Sequence, residues 1–133
     1  RIMIWWYAFE ITNKHFLGGV GTGDVKANML QKYREKGMAN ALALELNAHN
    51  QYLQTIIAIG VIGLIVLMLC LVLPLLYSME HRHYLYLAFL ILAGFNFLFE
   101  SMLETQAGVV FYAFFNAYLF AIIKDPASDE AGS

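Results

Sequence analysis

Charge is what this sequence has least of. Lys, Arg, Asp and Glu make up 14% of its 133 residues, against about 25% in an ordinary soluble domain. Together with a hydrophobic fraction of 60%, that scarcity excludes a disordered chain and argues against a water-soluble monomer. There is no basic excess, since the net charge is −2, and so no nucleic acid is expected as a partner. The one cysteine, Cys70, excludes an intramolecular disulfide and a cysteine-based zinc site. His15, His81 and His83 show no HExxH-type spacing, and the His81-x-His83 pair beside Arg82 is weak evidence for a metal. Nucleophile-elbow and dinucleotide-binding signatures are also missing. The chain opens on Arg1, without a leader pattern, and reads as a piece of a longer protein.

What is abundant is apolar sequence without charge. Residues 51–79, 83–99 and 105–123 contain no Lys, Arg, Asp or Glu. A helix crossing the hydrocarbon needs about 20 apolar residues. Backbone groups in lipid must bond within their own segment, so these runs are expected to be transmembrane helices rather than strands. Gly60 and Gly63 would allow close approach to the first span, and Pro74 would disturb its last turns. The fold class expected is therefore all-α. It is a polytopic membrane fragment with three full spans, a truncated one over residues 1–11 and an extramembrane segment over 12–50. Residues 124–133 read as a disordered tail.

Within 12–50, the run GGVGTGD at 18–24 is a turn that lets backbone approach something closely. It lacks the spacing of a phosphate loop. Asp24 and Gly37 bracket a helix as N-cap and C′ residues. Val25, Met29 and Tyr33 fall on one face of it, with Lys26, Lys32, Arg34 and Lys36 between. That is an amphipathic helix, resting on a membrane or on the protein itself. Residues 39–50 are expected to continue helically into the first span. Lys and Arg near the span ends do not orient the chain.

Several side chains could carry chemistry. His49 and Asn50 precede the first span, and an imidazole is suited to accept a proton near neutral pH. The alternative is an interfacial polar residue. Arg1 and Trp5 lie one helical turn apart, as recognition of a phosphorylated lipid or a snorkelling arginine would require. Glu100 and Glu104 stand at i and i+4, on one face at a membrane boundary. Carboxylates near a membrane are functional candidates, though both could simply face water. Asn96 and Asn116 more often bridge helices.

Taken in order, Arg1, Trp5 and Ala8, then Gly21 and Gly23, then His49-Asn50-x-Tyr52-Leu53 and Ile59-Gly60-x-x-Gly63 resemble the O-antigen ligase family of polytopic membrane proteins. The resemblance implies transfer of a glycan from a polyprenyl pyrophosphate carrier to an acceptor such as lipid A-core. It implies His49 and Arg1 as catalytic residues, the first handling the acceptor hydroxyl and the second the pyrophosphate. Asn50, Trp5, Lys14, Glu100 and Glu104 are substrate-binding candidates, and no cofactor is expected. The implied partners are membrane lipid, the polyprenyl-pyrophosphate-linked glycan donor and the lipid A-core or glycan acceptor. The implied location is the bacterial inner membrane, with residues 12–50 facing the periplasm. Two rivals remain at this point: an O-antigen polymerase, and a non-catalytic transporter segment or assembly subunit.

Overall fold

In a computed structural model, residues 2–46 and 48–124 are described, and they form helices and turns with no strand among them. The expected tail, 125–133, lies outside the described residues. The chain divides into two compact units. One comprises residues 1–68 and 97–101, the other 69–96 and 102–133.

The first unit is built on α1 (Ile2–Lys14), α2 (Val25–Glu35), α3 (Ala39–Ala43) and the first part of α4 (Gln51–Glu80). Ile4, Ala8 and Ile11 recur at helical spacing and bury one face of α1. Val25, Met29 and Tyr33 of α2 join the same core, together with Ala41, Ile57 and Ala58. The amphipathic helix therefore rests on the protein. Gly37 ends it as the sequence indicated. At φ 67° it occupies the left-handed C′ position, and the Met38 amide donates to the Tyr33 carbonyl at 2.9 Å, closing a Schellman motif. Asp24 stands at the N-cap position without a side-chain cap bond. The basic face is largely neutralised within the unit. Lys32 lies 2.6 Å and Lys36 3.9 Å from the Glu10 carboxylate, and Lys26 pairs with Glu45.

Residues 39–50 do not continue helically into α4. Helix α3 stops at Ala43, and both Glu45 and His49 have positive φ. The reason is competition for carbonyls. The Tyr33 hydroxyl donates to the Leu46 carbonyl at 3.1 Å and the Trp5 indole to that of Ala48 at 2.9 Å. Side chains thus satisfy groups that helical amides would have taken. Asn50 restarts the helix, its side-chain oxygen accepting the Leu53 amide at 3.0 Å.

Helix α4 is itself broken. Gly60 has φ 74° and ψ −167°, a conformation essentially restricted to glycine. The freed carbonyls of Ile57 and Ala58 accept the amides of Val20 and Gly21 at 2.8 and 2.9 Å, and the Val61 amide donates to the Phe16 carbonyl at 2.8 Å. The glycine-rich loop thus makes the close backbone approach that its composition suggested. The partner is the gap in α4.

The second unit contains the rest of α4, then α5 (Tyr84–Asn96), a 3-10 turn (Met102–Glu104) and α6 (Gln106–Lys124). Helices α4 and α6 are long and apolar enough to cross a membrane. The second expected span, 83–99, is shorter than its charge-free run. Helix α5 has 13 residues, about 20 Å at 1.5 Å per residue, against a hydrocarbon core of about 30 Å. It stops because Phe97 is buried in the first unit, where its carbonyl accepts the Gln51 amide at 2.7 Å. Between α4 and α5, Ser78 donates to the His83 carbonyl at 2.9 Å. The His83 Nδ1 accepts the Tyr86 amide at 3.2 Å, so this imidazole caps α5. Asn116 bridges α5 and α6, accepting the Tyr86 hydroxyl at 2.7 Å. Pro74 has no amide to offer the Cys70 carbonyl four residues earlier. The Tyr112 hydroxyl donates to that carbonyl at 3.2 Å instead.

Candidate active site around His49

His49 sits between α3 and α4 with φ 45°. A left-handed backbone costs a non-glycine residue about 1–2 kcal/mol, and such strain persists only where the surroundings over-determine it. They do so here. Just before His49, the Ala48 carbonyl is bound by Trp5 of α1. Just after it, Asn50 caps α4 and donates from its side-chain amide to the Leu98 carbonyl at 3.1 Å. Gln51 follows with its amide on Phe97. Tyr52 meets the Phe97 ring edge-on at 6.2 Å between centroids.

These bonds hold the segment Phe97–Ser101 against the start of α4 and deliver Glu100. One Glu100 carboxylate oxygen lies 3.5 Å from His49 Nδ1. The imidazole is half-buried and the carboxylate is exposed, their side chains being 29% and 56% accessible. The contact is an ion pair when the imidazole is protonated, and a carboxylate so placed on the Nδ1 side would leave Nε2 to act on a substrate.

The remaining candidates are distributed as follows. Trp5 is beside the His49 segment, and Asn50 is buried within it. Arg1 lies outside the described residues. Lys14 lines a shallow polar cleft of the first unit, with His15, Asn28, Gln31 and Lys32. The hydrogen bond to Glu10 raises the Lys32 ammonium above the usual lysine range. Burial pushes the Tyr33 phenol up to about 12. Glu100 and Glu104 do not share a helical face. Glu100 is in non-helical chain and Glu104 closes the 3-10 turn of the other unit. Among the described residues, no three of His, Cys, Asp and Glu converge as a metal site would require.

The sequence named both His49 and Glu100 without joining them. Their pairing depends on α5 ending early and on Phe97 entering the first unit, and no local pattern announces either event. The break at Gly60 left a fainter trace. A glycine among Ile and Val, with a second glycine loop upstream, is compatible with a gap as well as with a close helix contact.

The described residues are thus helices and turns, two of the helices long and apolar enough to cross a membrane, with a strained histidine set against a carboxylate as a candidate acid–base pair. Residues 1–68 match the family described as O-antigen ligase, so the chain belongs to the O-antigen ligase family, whose members are glycosyltransferase-like membrane enzymes. No curated protein and no solved structure matches it. The matched stretch contains His49, the glycine-rich loop and the Gly60 break.

Proposed function

We propose that this chain carries the proton-accepting part of a glycan transferase in cell-envelope polysaccharide assembly. The donor is a polyprenyl-pyrophosphate-linked glycan. The acceptor is a hydroxyl of lipid A-core. Nε2 of His49 takes the acceptor's hydroxyl proton while the oxygen attacks the anomeric carbon. The bond from that carbon to the pyrophosphate oxygen breaks, and polyprenyl pyrophosphate departs with its electron pair. Glu100 orients the imidazole and stabilises its protonated form, in the manner of the carboxylate in a catalytic triad. The family resemblance assigns Arg1 to the pyrophosphate, where a guanidinium would offset the charge of the leaving group. Trp5 and Asn50 hold the backbone on either side of His49. The periplasmic face of the inner membrane is the side where such an acceptor would be met.

The observation that carries this reading is the His49–Glu100 pair at 3.5 Å, set on a backbone conformation that stability alone would not favour. The test is reconstitution of the intact protein with an undecaprenyl-pyrophosphate-linked O-antigen donor and lipid A-core. Glycan-bearing core and free undecaprenyl pyrophosphate are the expected products. Elongated carrier-linked glycan in place of modified core would identify a polymerase. Absence of transfer to either acceptor would overturn the assignment and favour a non-catalytic membrane role.

A further inference from the structure

The gap in α4 divides it into a short segment behind His49, 51–59, and the long apolar run from Val61 onward. Three backbone hydrogen bonds from the loop over residues 15–21 fill the gap. They satisfy helix-end groups that would otherwise be exposed. The fit tolerates no added atom. A Cβ on Gly60 would lie 2.2 Å from the Leu17 carbonyl oxygen, and one on Gly19 would lie 2.4 Å from the Ala58 carbonyl carbon. Both glycines also have positive φ, 74° and 69°. A Cβ on Gly18, in the same loop, would meet nothing within 4 Å.

The loop is the direct continuation of α1. The segment behind His49 is therefore tied to α1 and its extension at both ends. At one end the Trp5 indole binds the Ala48 carbonyl. At the other the loop binds Ile57 and Ala58, and across the gap it also binds Val61. Two ties along one short helix fix its axial register and its rotation.

We propose that Gly19 and Gly60 are positioning residues for the transfer reaction: their backbone splice locks the segment 51–59 against α1 and thereby holds His49 in its place. Geometry of this kind is worth large factors in rate, because small displacements of a reacting group weaken catalysis steeply. The consequence for transfer rests on the function proposed above. The register lock itself does not.

The experiment pairs amide hydrogen exchange on the intact protein in nanodiscs with transfer kinetics, using the undecaprenyl-pyrophosphate-linked donor. The variants are Gly19→Ala, Gly60→Ala, Gly18→Ala and Val61→Pro. Proline at 61 removes one splice bond. Proline is tolerated at the first position of a helix, where the amide has no helical partner to lose. In the unaltered protein the Val20, Gly21 and Val61 amides should exchange slowly. Gly19→Ala and Gly60→Ala should release Val20 and Gly21, and also the Gln51 amide beside His49, while Met29 in α2 stays protected. Per folded molecule, kcat should fall about tenfold or more with the donor KM within about twofold, and Gly18→Ala should match the unaltered protein. A fold-wide loss of protection in the alanine variants passes the decision to Val61→Pro, which should speed Gln51 exchange with Met29 unchanged. Unchanged Gln51 protection and kcat in variants whose splice amides exchange freely would overturn the proposal. So would equal damage from Gly18→Ala. If the unaltered protein transfers nothing, the function above fails and Gln51 exchange alone decides the register lock.

Discussion

Tyr112 donates to a carbonyl that Pro74 has left without its helical partner, and this pairing predicts a non-additive pair of substitutions. Tyr112→Phe keeps the ring and removes only the hydroxyl, leaving the Cys70 carbonyl unsatisfied within an apolar helix. A part-buried carbonyl stripped of its donor costs about 1–3 kcal/mol. The 3.2 Å bond length places this one toward the lower half, about 1–2 kcal/mol. Pro74→Ala restores an amide four residues after Cys70. In that background the carbonyl is bonded within the helix, and Tyr112→Phe should then cost less than about 0.5 kcal/mol. The coupling between the two sites should therefore be about 1 kcal/mol, read from a double-mutant cycle. Equilibrium unfolding of the four proteins in mixed micelles supplies it. If Tyr112→Phe costs as much with alanine at 74 as with proline, the hydroxyl is not replacing a missing helical donor. The reasoning then fails.

Two further outcomes follow from the first unit. Relieving the left-handed backbone at position 49 with His49→Gly should raise stability by about 1 kcal/mol in thermal unfolding while abolishing transfer; a loss of stability would show that His49 is not strained. Glu10 raises the Lys32 ammonium above its ordinary value of 10.5. Its contribution to stability should therefore be intact below that pH and lost as pH climbs through the raised value. Melting temperatures of the unaltered protein and Lys32→Met should converge in strongly alkaline buffer, and a constant gap would contradict the pairing.

Much of this architecture was legible where one physical effect dominated. Charge-free runs identified α4 and α6, because length and apolarity alone decide whether a helix can cross a bilayer. Val25, Met29 and Tyr33 announced the buried face of α2, and Gly37 its end, because both signals are local. Asn116 bridges two helices as a polar side chain in an apolar run commonly does. The failures share a different cause. Residues 44–46 and 48–50 leave the helix because Tyr33 and Trp5, distant in sequence, claim the Leu46 and Ala48 carbonyls. Helix α5 ends at Asn96 because Phe97 is drawn into the other unit. Glu100 meets His49 only as a consequence. Each of these outcomes is set by a contact across the fold, which periodicity and composition do not encode. The candidate base was thus visible as a residue type in a plausible place, and its carboxylate partner was visible only in three dimensions.

The central claim is that His49 handles the proton of the acceptor hydroxyl. The measurement that tests it most directly is the rate of glycan transfer by His49→Ala in the intact protein, normalised to folded protein. A general base of this kind contributes about 10²–10⁴-fold. The account therefore predicts that transfer falls by at least about a hundredfold while expression and thermal stability are kept. Transfer retained within a few-fold of the unaltered protein would contradict it.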